Sequence, residues 1–211
     1  MDQLKQNNDI ILHTQNRLDD RIHILTTMNE SYLPRLQVLL TSIRVSQPKE
    51  AVDIWLMHSG ISQEALEPVT RQCAVIGYEF HPVMIDGSAF AGAPVSRQYP
   101  RDMYYRLLAP LFLPKDLHRI LYLDPDTLVI NSLRPLWETD LKGCLFAAAA
   151  HTGKTELTNN INQIRLGTDH PYFNSGVLLM DLDRGRREIN ASEIFSYTKE
   201  HAKELLLPDQ D

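Results

Sequence analysis

Two aspartates one residue apart, Asp124-Pro125-Asp126, close the apolar run Arg119-Ile-Leu-Tyr-Leu. Side chains two apart on a strand share a face, and the proline bends the chain there. Both carboxylates therefore stand where a buried strand opens to solvent. Convergent carboxylates repel each other unless a cation lies between them. Hard divalent ions such as Mg²⁺ and Mn²⁺ favour such oxygen ligands, often completed by phosphate oxygens. The spacing alone carries little weight, because it recurs at Asp181/Asp183 and at Asp209/Asp211. A chain of ordinary aspartate content produces it about once by chance. Asp-Pro-Asp is also a natural turn with an Asx bond. The apolar strand ahead of it sets the first pair apart.

Three further groups could join such a site. Arg106 lies in Tyr104-Tyr105-Arg106-Leu107, a helical pattern. A guanidinium fork suits phosphate oxygens, although an arginine on a helix often makes only a surface ion pair. Asn174-Ser175-Gly176 opens the apolar run Val177 to Met180, and Gly176 permits close approach of backbone or ligand; the plainer reading is a turn at a strand start. His151 and Lys154 follow an alanine-rich run and could line the same cleft, while His170 beside Pro171 reads as a loop residue. No histidine pair has ligand spacing. Asp209-Gln210-Asp211 reads, taken alone, as a solvated acidic end.

The elements that must position these groups follow a βαβ rhythm. Residues 1–20 are polar and read as a leader. Ile22, Ile24 and Leu25 mark a short buried strand ending at Thr26-Thr27. Ser31 is placed to cap a helix with Pro34 in its first turn, and Leu33, Leu36, Leu40 and Ile43 give that helix an apolar face. Val52 to Met57 is a second strand. Ser62 caps a second helix holding Leu66 and Val69, Gly77 ends it, and Tyr78 to Ile85 is a third strand. Strand and helix in alternation predict a parallel sheet, whose ligands gather at the carboxyl ends of the strands. No GxGxxG follows the first strand, so a dinucleotide phosphate loop is not indicated. Asp86 to Pro100 reads as a surface loop, Arg101 to Leu111 as a helix, Leu145 to Ala150 as a buried run, Asn174 to Asp181 as a strand, and Ser192 to about Leu205 as a helix.

Composition limits the partners. The 211 residues are 43% hydrophobic and 23% charged, with a formal net charge of −6. This suits one globular domain. Without a Lys/Arg-rich run, nucleic-acid binding is not expected; an anionic ligand remains open if a metal supplies charge locally. Two distant cysteines, Cys73 and Cys144, suggest neither a disulfide framework nor a zinc site and fit a reducing cytosol. The run Cys144 to Ala150 is far too short to span a membrane, and Met1 to Asp20 lacks a signal core. The expectation is a cytoplasmic protein, with contact at the inner membrane face left open.

Taken in order, the segments resemble glycosyltransferase family 8, the retaining enzymes that include bacterial lipopolysaccharide galactosyl- and glucosyltransferases and glycogenin. The segments are Ile24-Leu-Thr-Thr with Tyr32, Met103-Tyr-Tyr-Arg-Leu, Arg119-Ile-Leu-Tyr-Leu-Asp-Pro-Asp, Leu133-Arg-Pro-Leu-Trp-Glu, Tyr172-Phe-Asn-Ser-Gly-Val-Leu-Leu and Pro208-Asp-Gln-Asp. The resemblance runs from about Arg21 to Asp211 and is nearer to the bacterial members. It implies an α/β fold of GT-A type: a Rossmann-like three-layer α/β/α domain with a mostly parallel central sheet. It implies a UDP-sugar donor (UDP-glucose or UDP-galactose foremost), Mn²⁺ or Mg²⁺, and a saccharide or glycolipid acceptor. Asp124 and Asp126 would ligate the metal, with Asp124 also near the donor ribose. Tyr32 would pack on the uracil with Thr27 and Asn29 at its polar edge. Arg106 would contact the diphosphate region, and Asn174 and Ser175 the sugar. Asp209 would hold sugar hydroxyls and Gln210 would face the anomeric carbon.

Two departures qualify the pattern. Asn29 stands where many members carry Asp, keeping an acceptor oxygen without the charge. The family's C-terminal His-x-x-Gly-x-x-Lys-Pro-Trp motif, which supplies a metal ligand and a diphosphate lysine, is not among these residues. The expectation is a truncated catalytic domain with part of the metal's ligand set. The rival readings are a haloacid-dehalogenase-like phosphatase using Asp124 as nucleophile, and an inactive fragment or nucleotide-sugar-binding module.

Overall fold

The computed structural model describes residues 21–90, 92–93, 102–150, 156–169, 172–202, 204–205 and 211. The polar leader, His151, Lys154, His170, Asp209 and Gln210 lie outside the described residues.

Among the described residues, six strands form one sheet in the order β3-β2-β1-β4-β6-β5. They are β1 (Ile22–Thr27), β2 (Val52–His58), β3 (Glu79–Met84), β4 (Arg119–Leu123), β5 (Phe146–Ala150) and β6 (Phe173–Asp181). The first four run parallel, with β1 between β2 and β4. β6 runs antiparallel to both β4 and β5. The expected mostly parallel α/β/α architecture is present.

Helices cover both faces, so the central strands are apolar nearly throughout. Alternate residues serve opposite faces. Ile22, Ile24, Leu121, Leu123 and Leu179 pack under α1 (Leu33–Ser46) and α2 (Gln63–Ile76), which contribute Leu36, Leu40, Ile43, Leu66 and Val69. Leu25, Met57, Tyr122, Leu178 and Met180 pack on the other side with Tyr104, Tyr105 and Leu108 of α3 (Met103–Phe112). The remaining helices are α4 (Arg134–Trp137), α5 (Glu156–Leu166), α6 (Leu182–Glu188) and α7 (Ala191–Glu200). Among the described residues, no helix is long and apolar enough to cross a membrane.

Ser62 caps α2 as expected, accepting a hydrogen bond from Ala65 N at 3.1 Å. Gly77 ends that helix at φ +77°, a left-handed conformation that glycine adopts without a Cβ clash. Ser31 does not cap α1. Asn29 caps a short 3₁₀ turn, Glu30–Tyr32, that leads into the helix. Its Oδ1 accepts from Ser31 N at 3.1 Å and from Ser31 Oγ at 2.6 Å.

Three other elements differ from the pattern reading. Within Asp86 to Pro100, a 3₁₀ turn at Gly87–Phe90 drives Phe90 into the core against Tyr105, Phe112 and Phe195. The small residues around it disguised one buried aromatic. The run Leu145 to Ala150 is the edge strand β5, with Phe146 51% exposed, because alanines are apolar at an edge as well as in a core. Helix α6 begins at once where β6 ends, and Asp181 caps it by accepting from Arg184 N at 2.8 Å.

Candidate active site

The direction of β6 creates the site. Parallel strands β1 and β4 end at the same edge of the sheet, and an antiparallel neighbour must begin there. Asn174, Ser175 and Gly176 are thereby brought beside Asp124, whose backbone N donates to Gly176 O at 2.9 Å. Thr127 N donates to Asp124 O at 3.0 Å, closing a β-turn with Pro125 at the position that favours proline. The turn and site readings of Asp-Pro-Asp therefore coexist. The turn buries Pro125 and leaves Asp126 exposed.

Arg106 reaches this junction from α3. Its Nη1 donates to Ser175 O at 3.0 Å and to Ser175 Oγ at 3.2 Å. Its Nη2 lies 3.3 Å from Asp124 Oδ1. The guanidinium carbon stands 4.6 Å above the Tyr122 ring centroid, within cation–π range. This is no surface ion pair: the arginine side chain is 11% exposed and bridges two strands.

Tyr122 is a site residue that the pattern reading passed over as core. Its hydroxyl donates to Asp124 Oδ1 at 2.6 Å and lies 3.3 Å from Thr27 Oγ1. Burial pushes its ionisation up strongly, and the Asp124 charge and hydrogen bond add to this against the opposing Arg106 charge. The phenol therefore stays a hydrogen donor and orients the carboxylate. The signal was available, since Tyr122 and Asp124 are two apart at a strand end and share a face. Gly176 is needed for the same reason. A Cβ there would lie 2.6 Å from Asp124 Oδ2 and 3.0 Å from Asn174 Oδ1.

The candidate residues near the carboxyl end of β1 are engaged locally. Thr27 is buried beside Tyr122. Asn29 is exposed, with Oδ1 holding Ser31. Tyr32 is half-buried, and Arg35 lies 4.2 Å over its ring. At the far end of the chain, the solvated reading of Asp211 is overturned. Its side chain is fully enclosed, accepting from Arg165 Nη1 and Nη2 at 2.8 Å each and from Tyr172 OH at 2.6 Å. Arg165 in α5 stands 46 residues before Asp211, a separation with no pattern signature.

Asp124 offers hard oxygen ligands beside a fixed cation, and the exposed carboxylate of Asp126 follows one turn residue later, a donor set that fits a divalent ion whose shell is finished by phosphate and water. The Tyr122 bond to Oδ1 is the kind of outer contact that orients a metal ligand. Among the described residues, no group of three His, Cys, Asp or Glu side chains is gathered. The dehalogenase-like alternative would place its nucleophile on the first strand of the fold, whereas Asp124 follows the fourth, β4.

The model of the family described as glycosyl transferase family 8 matches residues 23–211. General stress protein A of Bacillus subtilis is 25% identical over 199 residues, spanning 92% of this chain and 68% of that protein. A lipopolysaccharide 1,2-glucosyltransferase of Escherichia coli is 22% identical, spanning 92% and 59% respectively. The crystal structure of the galactosyltransferase LgtC, in complex with donor and acceptor sugar analogues, superposes with a TM-score of 0.77 at 24% identity. It covers 89% of this chain and 69% of LgtC, a likeness of fold. The chain thus spans some three-fifths to two-thirds of these proteins' length.

Proposed function

The chain belongs to glycosyl transferase family 8, and from that premise we propose that it serves a retaining, metal-dependent transfer of a hexose from a UDP-sugar to a saccharide or glycolipid acceptor. The observation that carries this reading is Arg106, held between Ser175 and Asp124 at the carboxyl end of β4. A guanidinium so fixed needs no reorganisation when negative charge develops on a leaving diphosphate.

Asp124 and Asp126 would hold Mn²⁺ or Mg²⁺. That ion, when bound, would supply charge stabilisation to the diphosphate oxygens. Tyr122 keeps Asp124 oriented, and Arg106 adds its positive charge beside that carboxylate. Tyr32, with Thr27 and Asn29, would receive the uracil. Asn174 and Ser175 would meet the sugar, with Asp209 on its hydroxyls and Gln210 at the anomeric carbon.

In the transfer, the bond between the anomeric carbon and the diphosphate oxygen breaks, and its electron pair stays on that oxygen. The sugar gains oxocarbenium character. The acceptor hydroxyl oxygen bonds to the carbon from the same face, and its proton passes to the departing diphosphate. An amide such as Gln210 is a poor nucleophile, which favours this ion-pair route over double displacement. A glycosyl adduct trapped on Gln210 or Asp209 and seen by mass spectrometry would overturn that route.

The deciding experiment is calorimetry with UDP, with and without Mn²⁺, alongside UDP release from UDP-glucose and UDP-galactose. Metal-dependent UDP binding is expected. Binding without turnover would keep the donor site and remove transferase activity from these 211 residues. Hydrolysis of a generic phosphomonoester without UDP binding would reject the reading.

A further inference from the structure

A cavity of about 570 Å³ adjoins the site on the α3 side of the sheet. Ala148, Leu178 and Met180 on β5 and β6 form its floor, with Leu107 of α3 and Ile194 of α7 on its walls. Among the described residues, ten of the fourteen that line it are apolar, and three of the four polar ones are Arg106, Asn174 and Ser175. The cavity therefore shares a wall with the candidate donor site. Two large aromatics on its lining, Phe146 and Phe173, are 51% and 38% exposed. The volume falls in the range of small-molecule pockets, which are mainly apolar with a few polar groups fixing orientation. Ordered water needs two to four polar partners, and this floor offers none.

Apart from its base, which the reading above places at Tyr32, a nucleotide sugar is polar, so its diphosphate and sugar have little with which to fill such a space. A transferase has a second substrate, which must approach the same anomeric carbon. We propose that the cavity binds the apolar part of the acceptor. The acceptor is then amphipathic, with a hydroxyl-bearing head beside the donor sugar that Asn174 and Ser175 would meet and an alkyl or aryl group over Ala148, Leu178 and Met180. This rests on the transferase reading above but is tested separately from it.

The probes are methyl and n-octyl β-D-glucopyranoside, below micelle concentrations, titrated into the protein labelled at methionine methyls. Met180 lies in the floor, whereas Met28 and Met57 are buried elsewhere. The octyl glucoside should shift the Met180 methyl signal and bind at least tenfold more tightly than the methyl glucoside. Saturating UDP with Mn²⁺ should change octyl binding at least threefold, because the cavity shares a wall with the candidate donor site and any coupling is reciprocal. Ala148→Phe fills the floor from a half-exposed edge-strand position that accepts aromatics. It should abolish the octyl effect and leave UDP affinity unchanged, which also reports an intact fold. The proposal is overturned by equal affinities, by a Met180 signal silent to both probes, by octyl binding indifferent to UDP, or by octyl binding that survives Ala148→Phe. Failure of UDP binding alone would instead reject the donor reading.

Discussion

Asp124/Asp126 and Asp181/Asp183 have the same spacing and stand at the ends of neighbouring strands, yet they face opposite edges of the sheet. β4 and β6 are antiparallel, so each pair lies where the other strand begins. The second pair is satisfied locally. Asp181 caps α6, and Asp183 holds His118 at 2.7 Å and Arg186 at 2.9 Å. The first pair is held by residues distant in sequence, namely Arg106 from α3 and Gly176 from β6, and its second carboxylate is left exposed. A carboxylate that ends a helix or a hairpin has a structural task. One oriented by a buried tyrosine beside an enclosed arginine is set up to meet something from outside.

The contrast can be broken by substitutions at each end. The largest effect is expected from Arg106→Ala, which should lower transfer by about 2–4 kcal/mol of transition-state stabilisation, read from kcat/KM in a version that turns over. Unchanged turnover would remove Arg106 from the mechanism. Asp126→Asn should weaken metal-dependent UDP binding about 100-fold, the upper range for disturbing a metal's ligand shell. The matched change Asp183→Asn should leave that binding alone, and calorimetry separates the two. Next come two glycines. In Gly176→Ala the new methyl meets Asp124 Oδ2 at 2.6 Å, and in Gly185→Ala it meets Pro110 Cγ at 2.5 Å. Each should cost about 1–3 kcal/mol in denaturant unfolding, as overpacking does. Only Gly176→Ala should also reduce UDP affinity.

The smallest effect concerns acid. Burial alone would raise the Asp183 carboxyl, but the hydrogen bond from His118 and the charges of His118 and Arg186 hold it below its ordinary 3.8. A depressed folded value means stabilisation that is present above pH 3.8 and lost as the pH falls through the lower folded value. The side chain is 44% exposed, so solvent screening keeps the gain below about 1 kcal/mol. The Tm gap between the parent and Asp183→Asn should accordingly be a few degrees at most near neutrality and shrink below pH 3.8.

Much of the fold was legible because it is local. The caps at Ser62 and Gly77, the apolar face of α1 and the strand ahead of Asp124 all advertise themselves within a few residues. The expected Asp124, Arg106 and Ser175 do meet, although no spacing predicts it; their proximity comes from the reversal of β6. Tyr122 was hidden because an aromatic in an apolar strand looks like filling until its hydroxyl has a partner. Phe90 was hidden by its small neighbours. The Arg165–Tyr172–Asp211 cluster was hidden because a charged residue near a chain's end looks solvated until an arginine encloses it.

The reversal of β6 also sets a timetable. β1 to β4 emerge first from the ribosome, and about fifty residues must follow before β6 appears, some 3–10 s at typical synthesis rates. Throughout that interval the β4 edge, with Leu121 and Leu123, has no neighbour on its β6 side. An unpaired apolar edge invites pairing with other chains. The strand that completes the candidate site is thus also the strand that closes an adhesive edge of the nascent protein, so assembly of that site and resistance to co-translational aggregation should be acquired together.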